Sequence, residues 1–228
     1  MNPKNRFRRS AKEKLQKTIK SNTYPKDKAF EKNILNFIHK TAAKHILIFL
    51  PLPIEPNVLG VIKKMRALKK IIYIPFIEDI NFKIVKYRLP VKIGAYGIAS
   101  CGNSHTLIKK IDLAIVPAIG IDSKFRRVGF GKGMYDRFFD SLGYKPLVAF
   151  AQRTLCFSSE GVGEAHDLVG DYLILPNKIF AKGRRNNAYN SINGYGSRCV
   201  VRADRISSSK KIGFRKISNI RRAVKVKS

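Results

Sequence analysis

The chain has 228 residues, with 46 Lys+Arg against 15 Asp+Glu, a formal net charge of +31, and 44% hydrophobic residues. This length predicts one globular unit with an appendage, and the ordinary apolar content suffices for a hydrophobic core. No apolar run approaches the roughly 18–20 residues that span a bilayer, which argues against a membrane-spanning protein. The three cysteines form no CxxC pair, and no apolar signal segment follows the basic N terminus, so we expect a cytoplasmic protein. We take it to be a monomer without membrane contacts.

Short apolar runs rich in Ile, Val, Phe and Tyr recur along the first 176 residues and predict buried strands. They are Ile46–Leu50, Ile71–Pro75, Leu113–Ile121, Leu147–Ala151 and Tyr172–Leu175. Between these runs, apolar side chains recur at helical spacing. They are Phe30, Ile34, Phe37 and Ile38 in one segment and Val58, Val61, Ile62 and Met65 in another. The alternation predicts an α/β fold, a mostly parallel sheet with helices on both faces in a three-layer, Rossmann-like arrangement.

Beyond position 176 the periodicity fades and the charge rises. Residues 177–228 carry 15 Lys+Arg against one acidic residue, Asp204. We therefore divide the chain into an α/β domain, residues 1–176, and a basic C-terminal extension of low order, residues 177–228. Tyr189, Tyr195 and Phe214 are interleaved with the basic residues of the extension, a composition typical of nucleic-acid-binding segments, so contact with RNA is an alternative function.

A glycine-rich segment, RVGFGKGMYDRF, separates the apolar run that ends near Ile121 from a helical stripe. Its glycines should lie just ahead of a helix N terminus, where free backbone N–H groups bind anions. The spacing is that of neither a Walker A loop nor a dinucleotide-binding loop. Arg127 and Lys132 flank the glycines with the charges that a triphosphate needs, and Asp136 is a hard oxygen ligand suited to Mg²⁺. The segment therefore predicts a phosphate-binding loop.

The same segment resembles the signature of the 5-formyltetrahydrofolate cyclo-ligase family, also called methenyltetrahydrofolate synthetase, in which Arg and an aliphatic residue precede GxGxGYYD. Four more segments are similar to the family in the same order: an N-terminal KxxxR, FLPLPIEPN, KIGAYGIAS and HDLVGDYLIL. The resemblance covers about residues 2–176. It implies ATP- and Mg²⁺-dependent conversion of 5-formyltetrahydrofolate to 5,10-methenyltetrahydrofolate, with release of ADP and phosphate, in one-carbon folate metabolism.

The resemblance also implies a role for each matching residue. The ATP-binding residues would be Lys4, Arg8, Arg127, Val128, Gly129, Phe130, Gly131, Lys132, Gly133, Met134 and Tyr135. The residues that bind the reduced folate would be Leu50, Glu55, Tyr96, Phe130, Gly131, Lys132, Gly133 and Met134. Catalysis would fall to Arg127, Lys132 and Tyr135, and Mg²⁺ would be held by Asp136 and Asp171.

Two departures from the family pattern leave a changed substrate open. Met134 replaces the first aromatic residue of the family's YYD triplet, and Ala99 and Ser100 stand where many members have Glu-Pro. The first alternative therefore keeps the ATP loop and changes the second substrate. The other alternative is a nucleic-acid-binding protein on the same fold without the ligase activity.

Overall fold

The computed structural model describes residues 2–78, 81–93, 99–101, 108 and 110–183. Within these ranges lie four helices: α1 (Pro3–Ile19), α2 (Tyr24–Thr41), α3 (Leu59–Ala67) and α4 (Met134–Asp140). The eleven strands are β1 (His45–Ile48), β2 (Ile71–Glu78), β3 (Asn81–Lys86), β4 (Lys92–Ile93), β5 (Ala99–Ser100), β6 (Leu113–Pro117), β7 (Gly120–Ile121), β8 (Arg127–Val128), β9 (Leu147–Ala151), β10 (Tyr172–Ile174) and β11 (Ile179–Ala181).

Seven of these strands form one sheet in the order β11-β10-β9-β6-β1-β2-β3. The five central strands run parallel, and the edge strands β3 and β11 are antiparallel to their neighbours. The predicted mostly parallel sheet is confirmed, and its five central strands are the five apolar runs of the sequence. Such runs are apolar at every position because both faces of a parallel sheet are covered.

Helices cover both faces of the sheet, as the sequence predicts. On one face, the stripes of α2 and α3 pack on side chains such as Ile46, Ile48 and Ile115. On the other face, α4 packs on side chains such as Ala114, Val116 and Phe150. The alternation of Ile46, Leu47 and Ile48 between the two clusters follows from the two-residue period of a strand.

One predicted strand is divided in the structure. The run Leu113–Ile121 leaves the sheet after Pro117, and Gly120–Ile121 pairs with Arg127–Val128 in a separate antiparallel hairpin. The fully buried carboxylate of Asp122 holds the hairpin turn by accepting backbone N–H groups of Lys124 and Arg126. This hairpin carries the chain out beyond the carboxyl ends of the parallel strands and into the glycine-rich segment.

The sheet continues past position 176. β11 lies within residues 177–228 and pairs with β10, with Ala181 opposite Tyr172. The chain therefore leaves the sheet beside the start of β10, at the amino-terminal end of the parallel strands. The glycine-rich segment lies toward the opposite end, where β6 finishes at Pro117.

Candidate functional site

The glycine loop, residues 129–133, connects β8 to α4. Gly131 and Gly133 have φ values of 105° and 61°, which residues other than glycine rarely adopt, and Gly133 is the N-cap residue of α4. Gly129 has a different requirement, because a Cβ atom there would lie 2.7 Å from the guanidinium carbon of Arg127. Glycine is therefore required at positions 131 and 133 for the backbone conformation, and at position 129 because the Arg127 side chain packs against the backbone.

Arg127 occupies the centre of the site and is 6% exposed. Its Nε donates to the carbonyl oxygen of Pro117 at 2.8 Å, which holds the side chain against the end of β6. Its Nη1 lies 3.6 Å from Oδ2 of Asp136, and its guanidinium carbon lies 4.8 Å from the ring centre of Tyr135. The structure therefore brings three predicted site residues together around one buried cation.

Glu55 joins this group from the turn after β1. Its Oε2 accepts the backbone N–H of Leu52 at 2.8 Å, and the side chain is buried. Burial raises the pKa of Glu55 to about 7, although the Leu52 N–H and the charges of Arg127 and Arg153 oppose the shift. Burial and the Glu55 charge also raise the pKa of the Tyr135 phenol. Glu55 therefore interacts electrostatically with Arg127 and Tyr135 of the glycine-rich segment, although it lies about 70 residues earlier in the chain.

Helix α1 lies over the glycine loop. Arg8 donates from Nε to the carbonyl oxygen of Gly129 at 2.8 Å and also bonds to Asn5 Oδ1. One turn earlier, the Lys4 ammonium lies 3.0 Å from Glu164 Oε2 and 2.7 Å from Asp167 Oδ2. Burial disfavours the charged amine, yet these two carboxylates outweigh it and raise the pKa of Lys4. Of the predicted Lys-Arg pair, Arg8 therefore contacts the glycine loop, whereas the Lys4 ammonium is held by Glu164 and Asp167.

The other predicted residues in and next to the glycine loop differ in their exposure. Val128 is buried and pairs with Gly120, and Met134 packs partly buried against the sheet. Gly131 and Lys132 are exposed at the tip of the loop. Phe130 is 38% exposed, with the Lys12 ammonium 5.3 Å from its ring centre. An exposed aromatic ring and a lysine at the tip leave this part of the loop accessible to a ligand.

Two predicted residues lie away from this group. Leu50 is 5% exposed and belongs to the core cluster on the α2 and α3 face. Asp171 lies at the amino-terminal end of the sheet, where its Oδ2 accepts the N–H of Val148 at 3.0 Å. Asp136 instead accepts the N–H of Leu168, so the structure does not bring the two predicted metal ligands together. Tyr96 lies outside the described residues.

One group that could hold a metal ion was not expected from the sequence. Among the described residues, ligand atoms of Glu164, His166 and Asp167 lie within 4.8 Å of one another. The Lys4 ammonium contacts two of these carboxylates. The only signal in the sequence is the short run GEAHD, and its approach to Lys4, 160 residues away along the chain, depends on the fold.

Two further residues that sequence reasoning missed support the Glu55 turn. Arg153 is 6% exposed and forms an ion pair with Asp27 of α2. Arg153 is the second residue after β9, and a cation just beyond the end of a buried strand was the available signal. Among the described helices, none is long and apolar enough to cross a membrane.

The mostly parallel sheet defines an α/β protein, and the glycine loop, buried Arg127 and the carboxylates at its carboxyl end form a candidate site for an anionic ligand. The sequence profile of the 5-formyltetrahydrofolate cyclo-ligase family matches residues 1–162, and the chain belongs to this family of ATP-dependent ligases. The matched range includes α1, the Glu55 turn and the glycine loop, and it ends before Asp171. The resemblance that the sequence motifs indicated is therefore confirmed.

Two solved structures share the fold. A 5,10-methenyltetrahydrofolate synthetase from Aquifex aeolicus has a TM-score of 0.64 and 18% sequence identity, over 78% of this chain and 92% of that one. A 5,10-methenyltetrahydrofolate synthetase from Mycoplasma pneumoniae has a TM-score of 0.58 and 18% identity, over 75% of this chain and 98% of that one. No curated protein gives a significant sequence match.

Proposed function

We propose that the protein converts 5-formyltetrahydrofolate to 5,10-methenyltetrahydrofolate in the cytoplasm, uses ATP and Mg²⁺, and releases ADP and phosphate. The meeting of Glu55, Arg127 and Tyr135 beside the glycine loop, in a chain of the cyclo-ligase family, carries the proposal. Cys101 and Cys156 are buried and neither is in a disulfide, which is compatible with a reducing compartment.

The chemistry requires activation of a poor leaving group, the formyl oxygen. Transfer of the γ-phosphoryl group of ATP to this oxygen gives an imidate phosphate and ADP. The N10 amine then attacks the formyl carbon, N10 loses its proton, and phosphate leaves with the former formyl oxygen as the ring closes. Such a reaction needs two positioned substrates and neutralised phosphate charge more than it needs a dedicated acid or base.

The residues divide this work between the two substrates. Arg8, Arg127 and Lys132 neutralise the triphosphate, and backbone N–H groups of residues 129–133 donate to its oxygens. The Glu55 carboxylate accepts hydrogen bonds from pterin N–H groups, and Tyr135 closes the pocket beside the formyl group. Since Glu55 has a pKa of about 7, its ionised form predominates only above neutral pH. Binding of the folate should therefore weaken as the pH falls below 7.

Asp136 suits Mg²⁺ because it offers hard oxygen atoms in the first turn of α4, beside the glycine loop. When bound, the ion would neutralise phosphate charge during transfer. Asp136 also lies 3.6 Å from Arg127, so its carboxylate already orients the central cation. Roles for Leu50 and Tyr96, and a phosphate contact for Lys4, stay predictions. So does the Mg²⁺ role of Asp171, which the structure does not favour, because this carboxylate accepts the N–H of Val148.

The decisive experiment follows the near-ultraviolet absorbance of the methenyl product when the purified protein meets 5-formyltetrahydrofolate, ATP and Mg²⁺. Lys132→Ala should lower turnover at least tenfold with an unchanged melting temperature, because Lys132 is exposed at the loop tip. Lys124→Ala is the matched control, since Lys124 is an exposed lysine in the turn that precedes β8. No absorbance rise from folded wild-type protein would reject the proposed reaction, and equal effects of the two substitutions would remove Lys132 from it.

The alternative, nucleic-acid binding by the basic extension, also stays a prediction, because residues 184–228 lie outside the described residues. One described feature favours polyanion binding by another part of the chain. Helix α1 carries seven Lys and Arg residues among 17, against the single acidic residue Glu13. Polyanion binding through such a surface should weaken steeply as the salt concentration rises, because the released counterions oppose binding. Binding of ATP should show a shallower salt dependence, because fewer phosphates are neutralised.

A further inference from the structure

The turn that carries Glu55 is held at both of its ends by one ion pair. Arg153 donates from Nε and Nη2 to the two carboxylate oxygens of Asp27, at 2.9 and 3.2 Å. Its Nη1 donates to the carbonyl oxygen of Pro53 at 2.9 Å, and Asp27 Oδ1 accepts the N–H of Asn57 at 3.2 Å. Pro53 and Asn57 flank Glu55 by two residues on each side. The pair therefore ties the turn to α2 and to the end of β9 together.

The energetics of this pair favour a role in positioning. The side chains of Arg153 and Asp27 are only 6% and 15% exposed. A buried ion pair often contributes little net stability relative to apolar side chains of similar volume, because both charges lose their hydration. A bidentate ion pair fixes the two side chains in one defined geometry. The geometry held here is that of the turn around Glu55.

The same cation also acts on Glu55 through its charge. Groups from several elements face Glu55: Arg127 of β8, Tyr135 of α4, Arg153 after β9, and the N–H of Leu52. From α1 the neighbouring side chain is the apolar Leu15, which lines a small cavity with Glu55 and Arg153. Both arginines donate to other groups, Arg127 to Pro117 and Arg153 to Asp27 and Pro53, and the charge of each lowers the pKa of Glu55.

We propose that Arg153 and Asp27 are positioning residues for the reduced folate: they fix the turn so that the Glu55 carboxylate meets the pterin. This inference rests on the proposed function, in which Glu55 binds the folate. Neither residue touches the substrate, and neither takes part in phosphoryl transfer. Losing either one should therefore impair the use of the folate and leave the use of ATP nearly unchanged.

The test compares three substitutions in the full-length protein. Arg153→Met should raise KM for 5-formyltetrahydrofolate at least tenfold and change KM for ATP less than twofold. Arg153→Lys keeps the charge but loses the bidentate contact with Asp27. It should therefore also raise KM for the folate. Glu31→Gln is the matched control: Glu31 is a buried carboxylate on the same helix, and its partners Lys28 and Lys64 lie outside the Glu55 turn. Its folate KM should equal that of the wild type.

A second measurement separates positioning from simple support of the fold. Carboxyl ¹³C NMR, with the Glu55 signal assigned from a Glu55→Gln spectrum, should give a higher pKa for Glu55 in Arg153→Met. Arg153→Lys should keep the wild-type pKa, since the nearby charge is retained. A lower melting temperature with unchanged folate KM and unchanged Glu55 titration would overturn the positioning role. So would equal increases of KM for ATP and for the folate.

The two proposals fail in different ways. If the wild type and Glu31→Gln form the methenyl product and Arg153→Met does so with wild-type KM values, only the positioning role is wrong. If the folded wild type forms no product, the proposed reaction is wrong. The Glu55 titration then still decides whether Arg153 controls this carboxylate, because the NMR measurement requires no substrate.

Discussion

Carboxylates lie at both ends of the parallel sheet, and the two ends use them differently. At the amino-terminal end, Asp112 accepts the backbone N–H groups of Lys44 and His45, and Asp171 accepts that of Val148. At the carboxyl end, Glu55 accepts the N–H of Leu52 and faces arginines. Acids at the first end satisfy the strand backbone, whereas Glu55 keeps acceptor capacity for a ligand.

The pKa values show the same contrast. Burial acts against ionisation of Asp112, yet the N–H groups of His45 and Lys44 outweigh it and lower its pKa. At Glu55 burial prevails, and the pKa is about 7. The pKa values of these two carboxylates are therefore shifted in opposite directions, because Glu55 is buried and receives one backbone N–H, whereas Asp112 is more exposed and receives two. A perturbed acid in a cleft is a mark of a functional site, and only Glu55 of these two fits that description.

The largest expected effect is on stability at alkaline pH. The folded pKa of Glu55, about 7, lies above its ordinary value of 4.5. The native state then binds more protons than the unfolded state between these values, so Glu55 costs stability as the pH rises through 7. Glu55→Gln should leave stability unchanged near pH 4.5 and raise the free energy of unfolding at pH 8 by on the order of 3 kcal/mol. Urea denaturation at the two pH values measures this difference.

Asp112→Asn is the control from the other end of the sheet, and its pH dependence has the opposite sign. The lowered folded pKa of Asp112 gives stability above its unfolded value, which is lost as the pH falls through the folded value. The variant should therefore be less stable than the wild type at pH 7, with the difference closing in acid. Equal pH dependence in the two variants would contradict the contrast between the ends.

A smaller effect, about tenfold in turnover, is expected from substitution of one of the two predicted metal ligands, Asp136 and Asp171. Asp136→Asn should lower turnover at least tenfold, because Asp136 lies beside the glycine loop and 3.6 Å from Arg127. Asp171→Asn should keep turnover within threefold, since its carboxylate serves the N–H of Val148 at the far end of the sheet. Turnover at saturating and limiting Mg²⁺ measures both. A Mg²⁺ requirement raised tenfold by Asp171→Asn would show that Asp171 is a ligand after all.

The smallest expected effect comes from deletion of residues 184–228. The chain leaves β11 at the amino-terminal end of the sheet, away from the glycine loop, so turnover should change less than twofold. Binding of a fluorescent single-stranded RNA, measured over a salt series, should weaken in the truncated protein if the extension contacts nucleic acid. A tenfold loss of turnover would instead indicate that the extension reaches the site.

Much of the architecture could be predicted from local patterns. The apolar runs 46–50, 71–75 and 147–151 matched central strands, because strands buried on both faces have no polar positions. The edge strands were harder to predict from the sequence. β3 and β11 have a weaker apolar signal, because each pairs with a neighbouring strand on one side only. The run 113–121 was divided because backbone pairing in the hairpin with Arg127 competes with the sheet, which composition does not reveal.

The site was predictable only in part. The glycine loop and Arg127 were evident from spacing, since positive φ angles and close approach require glycine wherever the loop occurs. The Arg153–Asp27 pair was not, because its partners are 126 residues apart in the chain. The position of Asp171 was not predictable either. A strand-initiating acid looks the same in sequence whether it binds a metal or a backbone N–H group.

The sequence by itself determined the five central strands, the main helical segments, the family and the glycine positions of the loop, because these depend on residue types at short and regular spacings. Only the tertiary structure decided which charges meet: Glu55 with Arg127 and Arg153, and Lys4 with Asp167. Electrostatic interactions depend on distance and burial. Both quantities are set by contacts between residues that lie far apart in the chain.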